Sequence, residues 1–551
     1  MSYRNPTAVL PTHEVTNMPP HMGDQDLWSS DLALREGIAR EGAAWAEPQL
    51  ADFGQVAGRE EVLELANQAN RFDPELKPFD RYGMRINQVS FHPAYHALQD
   101  LAVAHGLPNF AWNNGGAGAH VAHAALNYML NQIEGGVLCP MAMTYAAIPT
   151  LKASPEIAKE WLPKLLSTTY DKRDIPVGEK TSAQMGMFMT EKQGGSDVRA
   201  NSTRAVRDGE GYRLTGHKFF CSAPMSDAFL TLAYAEEGLS CFLVPRFQPD
   251  GQRNGLFLQR LKDKLGNKSN ASSEMELQNT WGLLVGPEGK GIKTIIEMVQ
   301  GTRFYCAFGS AALMRQGLVQ ALHHTSHRSA FQKLLIDQPL MQNVLADLAL
   351  ESEAATTLSL RLGRAIDEGE AGNQEAAALA RIGTAIGKYW ICKRAPNHTY
   401  EAMECHGGPG YVEESILPRL YREAPVNSIW EGSGNVICLD VLRALQRDAE
   451  AGPAFLREVE SARGGNGHLD KAFDDLKEAL ADHSDIELRA RRLTEQMALV
   501  WQAALLVKSA PAAVSDAFCA SRLGTAWSGS YGTLPRGADC NAIVRRARGL
   551  S

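Results

Sequence analysis

The most informative segment of this 551-residue chain is Met187-Phe-Met-Thr-Glu-Lys-Gln-Gly-Gly-Ser-Asp197. It reads as a strand that ends at Thr190 and passes into a turn built on Gly195 and Ser196. Such a turn presents a hydroxyl group and several unobstructed backbone N–H groups, which suit a phosphate or the polar edge of a flavin ring. The same residues are equally typical of an ordinary surface loop, so the segment needs support from elsewhere in the chain.

A second candidate segment is Tyr212-Arg-Leu-Thr-Gly-His-Lys-Phe-Phe-Cys-Ser222. Its composition predicts a hairpin with Thr215-Gly216 at the turn. Alternation along the strand places Phe220 and Ser222 on one face. An aromatic ring beside a hydroxyl group could line a planar cofactor, and ordinary core packing explains the pair equally well.

The third candidate segment is Asn427-Ser-Ile-Trp-Glu-Gly-Ser-Gly-Asn435, in which a carboxylate lies between an indole and a glycine. Removal of water from Glu431 in such surroundings raises its pKa toward that of a working general base. The competing interpretation is a helix-entry turn in which Ser433 or Asn435 caps the helix that follows.

The composition limits the classes of protein that these segments can belong to. Hydrophobic residues make up 44% of the chain and charged residues 21%, which excludes a wholly disordered or fibrous protein. A net charge of −8 excludes a basic nucleic-acid coat. There is no C-x-x-C pair and no run of 18 apolar residues, so we expect a cytoplasmic protein without disulfides or a membrane span. His323 and His327 share a helix face but lack a third ligand, so we expect no metal.

Hydrophobic periodicity divides the chain into helical and strand-rich parts. The region before Met185 is mostly helical, and short strand-like runs occupy the region from Gly186 to Gly282. The later pattern predicts helices over Gly291–Arg328, Gln338–Glu368, Gln374–Glu404 and Asn435–Arg447. Near the C-terminus, Ser484-Asp-Ile-Glu487 matches a capping box and predicts the start of another helix.

In this order and spacing, the three candidate segments resemble sequence elements of the acyl-CoA dehydrogenase family. Three further stretches are similar to elements of the same family: Arg328–Lys333, Glu404–Gly410 and Leu420–Ala424. The amino-acid sequences of the first and third segments, and of Lys262–Ala271, most resemble those of the AidB-like branch, the alkylation-response flavoproteins. The residues beyond position 447 support this branch, because ordinary family members end soon after the corresponding helix.

The resemblance implies a mainly α fold with an inserted β-barrel domain and an extra helical C-terminal domain. The corresponding division of the chain is 1–184 for an N-terminal arm and helical domain, 185–290 for a middle β-domain, 291–447 for a C-terminal helical bundle, and 448–551 for a helical tail domain with a basic end.

The same resemblance implies an FAD cofactor between the β-domain and the bundle. The residues expected to hold it are Met187, Met189, Thr190, Gly195, Ser196, Phe220, Ser222, Trp430, Ser433 and Asn435. Three others are expected to reach the FAD of a neighbouring subunit in a dimer or, more in keeping with the family, a homotetramer: Arg328, Phe331 and Gly408. Glu431 is expected to be the base that removes the α-proton of an acyl-CoA thioester.

The end of the chain carries a charge opposite to that of the whole. Nine basic and only three acidic residues lie from Arg489 to Ser551, after an acidic stretch at 470–487. This asymmetry is typical of a polyanion site or of a helix face that pairs with the acidic helix before it. The AidB resemblance favours sequence-independent binding of double-stranded DNA. The candidate residues are Arg489, Arg491, Arg492, Arg522, Arg545 and Arg546.

Two hypotheses about function remain open at the level of sequence. One is an FAD-binding protein of the DNA alkylation response that binds double-stranded DNA and retains a weak acyl-CoA dehydrogenase site, similar to one for isovaleryl-CoA. The other is a genuine FAD-dependent acyl-CoA dehydrogenase that oxidises a short or branched acyl-CoA and has no role on DNA.

Overall fold

The computed structural model describes residues 7–525 and 529–550 of the chain. The first six residues of the predicted N-terminal arm, positions 526–528 of the predicted tail domain, and position 551 lie outside the described residues. Within the described ranges, none of the helices is both long and apolar enough to cross a membrane.

The first part of the described chain is helical, with one small hairpin. Its helices are α1 (Leu32–Arg40), α2 (Glu47–Ala57), α3 (Glu60–Arg71), α4 (Pro93–Ala104), α5 (Phe110–Asn114), α6 (Ala119–Asn131), α7 (Leu138–Leu151) and α8 (Pro155–Leu165). The hairpin consists of β1 (Glu75–Phe79) and β2 (Arg85–Ser90). Helix α6 is buried on nearly every face. A helix that is hydrophobic all round must lie inside the protein, so α6 forms an inner layer.

The strands of the middle part form one seven-stranded sheet. They are β3 (Met185–Phe188), β4 (Arg204–Asp208), β5 (Gly211–Ser222), β6 (Ala228–Ala235), β7 (Gly238–Pro245), β8 (Leu256–Leu261) and β9 (Ser272–Val285). Their order is β3-β6-β4-β5-β9-β7, with β8 paired to β9 and an additional pairing of β6 with β7. The predicted strand-rich region is therefore confirmed as a sheet domain, and the closed barrel that the resemblance implies stays a prediction.

Long helices return after the sheet and pack against one another. The elements are α9 (Gly291–His327), β10 (Ser329–Ala330), β11 (Lys333–Leu334), α10 (Pro339–Glu370), α11 (Gln374–Glu404), α12 (Gly408–Tyr411), α13 (Leu417–Glu423) and α14 (Gly434–Arg447). All four predicted helices of this region are confirmed to within two residues. Helix α11 starts as predicted because the Asn373 side chain accepts a hydrogen bond from the N–H of Ala376.

The tail of the chain is helical and docks on the bundle through buried charges. Its helices are α15 (Ala451–Glu460), α16 (Gly467–Ala481), α17 (Ile486–Ser509), α18 (Ala512–Phe518) and α19 (Cys540–Ala547). The Arg522 guanidinium lies 2.5 Å from a carboxylate oxygen of Asp347 and 3.1 Å from one of Glu351, both on α10. Arg394 of α11 also pairs with Glu351, at 3.2 Å. Buried carboxylates need such partners, so the tail and the bundle share one ion network.

Two local predictions are wrong. Thr215-Gly216 is not a hairpin turn, because β5 continues through it with a shift in its pairing to β9. Glycine is required there by close approach, since a Cβ at Gly216 would lie 2.4 Å from the Thr203 hydroxyl oxygen. The capping interaction predicted at Ser484–Glu487 also does not form, although the predicted helix start is confirmed by α17, which begins at Ile486: Asp485 precedes the helix with a φ of 47°, and no side chain caps it. The Ser484 hydroxyl donates instead to the carboxylate of Asp482.

The buried ion network predicts a large loss of stability when its tail member is removed. We expect Arg522→Ala to lower the free energy of unfolding by about 3–5 kcal/mol, because it leaves the Asp347 carboxylate buried without its cation. Arg492→Ala, an exposed site in the same tail, serves as the matched control, and its change should stay within about 0.5 kcal/mol. Denaturant unfolding measures both variants, and equal stabilities would contradict a docked tail.

Candidate active site

A fully buried ion pair anchors the glycine-rich turn to the sheet. Nζ of Lys218 in β5 lies 2.9 Å from a carboxylate oxygen of Glu191, and both side chains are 0% exposed. The hydroxyl and N–H groups of Ser202 and Thr203 also donate to Glu191, and together these contacts hold the pKa of that carboxyl well below its usual range. The pair therefore fixes the turn after β3 against the strand that carries Phe220 and Ser222.

The first two candidate segments are joined directly next to this anchor. The backbone N–H of Phe219 donates to the carbonyl oxygen of Thr190 at 2.8 Å. Cys221 is buried in the core of the sheet, whereas Phe220 is 53% exposed and Ser222 is half-buried. This alternation agrees with the predicted placement of Phe220 and Ser222 on one face.

The third segment and the second one both interact with a pair of cysteines, of which Cys306 is buried and Cys139 is half-buried. Cys139 of α7 interacts with the hydroxyl group of Ser222, which lowers the pKa of its thiol, and with the charge of Glu431, which raises it. Cys306 of α9 interacts in the same way with Trp430 and Glu431. Burial raises the pKa of the Cys139 thiol to about 11, so it stays protonated at neutral pH. The structure thus brings Ser222, Trp430 and Glu431 to one place between the sheet and the bundle.

The backbone at Glu431 adopts a conformation that non-glycine residues rarely take. Its φ is 58°, and two cations hold the carbonyl oxygens of this turn. Nε of Arg303 in α9 donates to the Glu431 carbonyl at 2.9 Å, and Nζ of Lys388 in α11 donates to the Gly432 carbonyl. Arg303 is itself fixed by Asp440 of α14 at 2.8 Å. Strained residues persist only where surrounding contacts over-determine them, and they occur often at functional sites.

The surroundings of the Glu431 carboxyl shift its pKa in opposing directions. Burial raises its pKa above the ordinary value for glutamate. The hydroxyl of Thr302 and the positive charges of Arg303 and Lys388 oppose that rise. A raised pKa makes a carboxylate a stronger proton acceptor than an ordinary glutamate.

Lys264 is a titratable group of this site that sequence reasoning did not assign. Its Nζ donates to the hydroxyl oxygen of Ser272 at 3.1 Å, and that oxygen lies 3.5 Å from the hydroxyl oxygen of Ser222. Burial lowers the pKa of Lys264 to about 8. In the sequence, a lysine between two strand-forming runs is typical of a solvent-exposed loop, so nothing marked Lys264 as buried. For Arg303 and Lys388 a signal did exist, because both are charges inside long apolar helices.

The residues present fit a flavin. Phe220 is 53% exposed, with Nζ of Lys262 4.6 Å from its ring centroid, and the half-buried residues Thr190 and Ser222 carry hydroxyl groups on the adjoining segments. Gly195 packs tightly on Thr190, because a Cβ there would lie 2.5 Å from the Thr190 hydroxyl oxygen. A partly exposed ring with hydroxyl groups on adjoining segments suits the stacking and polar-edge contacts of an isoalloxazine.

The remaining predicted flavin residues differ in exposure. Met187 is buried within β3, Met189 is half-buried, and Ser196 is exposed in the turn. Ser433 is exposed immediately before α14, and its side chain accepts no capping hydrogen bond. Asn435 accepts a hydrogen bond from Nε of Arg491 at 2.7 Å.

The residues expected to reach a neighbouring subunit lie on the surface of the described chain. Phe331 is 93% exposed and has a φ of 52° in the tight turn between β10 and β11. Gly408 is exposed at the start of α12. Arg328 donates instead to the carbonyl oxygen of Asn17 in the N-terminal arm, at 2.8 Å. No described contact joins these residues to Glu431 of the same chain.

The six arginines predicted to bind DNA do not form one uniform set. The prediction for Arg522 is wrong, because its side chain is 1% exposed in the ion network. Arg546 is 13% exposed and pairs with Glu36 and Glu353. Arg489 binds three backbone carbonyl oxygens at the end of α16 and just beyond it.

The other three arginines are exposed: Arg491, Arg492 and Arg545. Arg491 and Arg492 lie near the start of α17, whereas Arg545 lies on α19. Among the residues that the structure describes, no cluster of His, Cys, Asp or Glu side chains could hold a metal ion.

Family models match three successive parts of the chain. The N-terminal domain of the adaptive response protein AidB matches residues 17–172. The middle domain of acyl-CoA dehydrogenases matches residues 186–280, and their C-terminal domain matches residues 289–446.

Curated relatives and solved structures agree with this assignment. The AidB protein of Escherichia coli K12, itself assigned to the acyl-CoA dehydrogenases, is 46% identical over 93% of this chain and 95% of its own. Acyl-CoA dehydrogenase family member 11 of Caenorhabditis elegans is 32% identical over 78% of this chain and 72% of its own.

The solved structure of the C. elegans protein, in complex with C11-CoA, covers 100% of this chain and 96% of its own with a TM-score of 0.84 and 27% identity. The apo form of Bd2924 covers 91% of this chain and 100% of its own, with a TM-score of 0.83 and 30% identity. With its AidB-type N-terminal domain and a site that fits a flavin, this chain belongs to the acyl-CoA dehydrogenase family of FAD-dependent acyl-CoA oxidoreductases, in the AidB-like branch.

Proposed function

We propose that this protein oxidises a short or branched acyl-CoA thioester and that Glu431 is the base of the reaction. The observation that carries the proposal is Glu431 itself, which Arg303 and Lys388 hold in a backbone conformation of positive φ and whose carboxyl has a pKa raised by burial. The complex of the C. elegans relative with C11-CoA supports an acyl-CoA substrate. We expect the acyl group to be short or branched and turnover to be slow.

In the proposed reaction the carboxylate of Glu431 takes a proton from the α-carbon of the acyl group. FAD, when bound, would supply the acceptor for the hydride from the β-carbon, which balances the two-electron oxidation of the Cα–Cβ bond to C=C. Met187, Met189, Thr190, Phe220 and Ser222 would hold the flavin from the sheet side. From the bundle side, Ser433 and Asn435 would complete its pocket. Arg303 and Lys388 hold the backbone of the base in place.

Removal of the base gives the first test of this proposal. We expect Glu431→Gln to slow reduction of bound FAD by an acyl-CoA at least about 100-fold, because the amide cannot accept the α-proton. Anaerobic titration of the visible flavin band with short straight and branched acyl-CoA thioesters measures the effect. Glu414→Gln, an exposed site, is the control, and full activity of the Glu431 variant would show that the base is misassigned.

The hydroxyl of Thr302 gives a test with a defined direction in pH. It lowers the pKa of Glu431, so Thr302→Val should raise that pKa. Because the ionised carboxylate is the active form, the acid limb of kcat/KM should move to higher pH, by about half to one unit. Thr325→Val, another buried threonine of α9 whose hydroxyl donates to a backbone carbonyl, is the matched control. An unchanged acid limb would contradict the contact between Thr302 and the base.

We also propose a homo-oligomer, with a tetramer as the favoured state, in a reducing cytoplasm. The 93% exposure of Phe331 supports a partner subunit, since large aromatic side chains are seldom left in water to this extent. The free state of all nine cysteines supports the compartment.

A second candidate function is sequence-independent binding of double-stranded DNA in the alkylation response. Its support is the basic end of the chain, together with the 46% identity to the AidB protein. Arg522 is buried, Arg546 is 13% exposed, and Arg489 binds backbone carbonyl oxygens, so the candidate surface consists of the three exposed arginines: Arg491, Arg492 and Arg545. Arg491 also contacts Asn435, so a substitution there would mix effects on DNA with effects on the flavin.

The sharpest test of DNA binding therefore uses Arg492→Gln combined with Arg545→Gln. If both side chains contact phosphates, duplex affinity should fall and the slope of log K against log salt should decrease by about two. Fluorescence anisotropy with a random-sequence duplex over a salt series measures both quantities, and the flavin content should not change. Lys159→Gln on α8 is the control. An unchanged affinity and slope would favour the alternative without a DNA role.

A further inference from the structure

A second cavity lies apart from the Glu431 site, between the hairpin and helix α4 on one side and the sheet on the other. Its volume is about 430 Å³. Strand β2, the segment 170–174 and the turn 223–227 supply most of its walls. This volume falls in the range of roughly 300–1,000 Å³ that small-molecule sites occupy.

The walls of this cavity, which we call the hairpin cavity, carry an excess of positive charge in an acidic protein. Five cationic and three anionic side chains line it. Each carboxylate is matched inside the wall by its own cation. The pairs are Asp171 with Arg173 at 2.7 Å, Asp174 with Arg246 at 2.9 Å, and Asp227 with Lys180 at 2.6 Å.

Two lysines of the cavity are left over after this pairing. Lys77 and Lys172 are exposed, and no ion pair among the described residues engages either of them. The excess of two positive charges matches a phosphate monoester, which carries a charge of about −1.5 to −2 at neutral pH.

One wall of the hairpin cavity is aromatic. The rings of Phe91 and Tyr95 are stacked with their centroids 4.1 Å apart. The rings of His96 and Tyr170 are also stacked, and Nδ1 of His96 lies 2.9 Å from the Tyr170 hydroxyl oxygen. Fixed aromatic faces of this kind favour a flat ring as the ligand.

A buried hydroxyl group in the cavity wall lacks a partner. The Ser226 side chain is 3% exposed, and its hydroxyl oxygen finds no hydrogen-bond partner among the described residues. Buried polar groups are nearly always hydrogen-bonded, so an unpartnered hydroxyl that lines a cavity indicates a missing ligand or water. The cavity therefore offers an aromatic wall, a hydrogen-bonding hydroxyl and a cationic mouth.

We propose that the hairpin cavity binds a purine nucleotide, with the base against the aromatic wall and Ser226 and the phosphate toward Lys77 and Lys172. The same chemistry is found in a free mononucleotide and in the adenosine 3′-phosphate end of CoA. The cavity is distinct from the FAD pocket, because its lining contains neither Phe220, Ser222 nor Glu431.

Isothermal titration of the FAD-loaded protein with AMP tests this proposal. We expect AMP to bind, Lys172→Glu to weaken binding at least about tenfold, since a negative charge then faces the phosphate, and Ser226→Ala to weaken it severalfold. Lys293→Glu, an exposed site on α9 outside the lining, should leave the affinity unchanged. The flavin spectrum should not move on addition of AMP.

Competition between AMP and CoA distinguishes a free nucleotide from the nucleotide end of CoA. Displacement of AMP by CoA from the unaltered protein would assign the cavity to the nucleotide end of CoA, whereas binding of AMP that CoA does not disturb would assign a free nucleotide. Absence of AMP binding at millimolar concentration would overturn the proposal. So would AMP binding that neither Lys172→Glu nor Ser226→Ala weakens. The surface position of Lys172 makes loss of folding an unsuitable explanation for its effect.

Discussion

The arrangement of the candidate active site depends on how the bundle holds one strained turn. The backbone at Glu431 has a positive φ, and its carbonyl groups are bound by Arg303 from α9 and Lys388 from α11. A non-glycine residue in this region costs of order 1–3 kcal/mol, so the helices must supply the compensating contacts. Asp440 of α14 completes the arrangement by fixing Arg303. Glu431 therefore keeps its orientation only while α9, α11 and α14 keep their relative positions.

A second buried charge pair performs the equivalent task on the sheet side. The ion pair of Glu191 with Lys218 holds the glycine-rich turn against β5, and the hydrogen bonds to Ser202 and Thr203 satisfy the carboxylate fully. Burial of charge is tolerated only with such complete pairing. Because each half of the site is fixed by its own polar anchor, the surface between them can stay open for a planar cofactor.

The tail is part of the same folded unit rather than a separate basic appendage. Arg522 belongs to the ion network of α10 and α11, and Arg491 contacts Asn435 next to the candidate active site. A ligand bound at the start of α17 would thus lie next to the contact of Arg491 with Asn435. The tail remains rich in basic residues, but two of its arginines, Arg522 and Arg546, pair with carboxylates of the same chain.

The sequence alone determined the features that depend on neighbours along the chain. These include the helical periods, with the helix over Gln374–Glu404 placed to the residue, the strand-rich middle, and the order of the three segments that indicates the family. Only the tertiary structure decided which charges are buried, why Thr215-Gly216 lies inside a strand, and how the pKa values of Glu431 and Lys264 shift. The physical reason is distance along the chain. Arg522 pairs with the carboxylate of Asp347, 175 residues away. Burial and pairing between such remote positions produce no periodic pattern in the sequence.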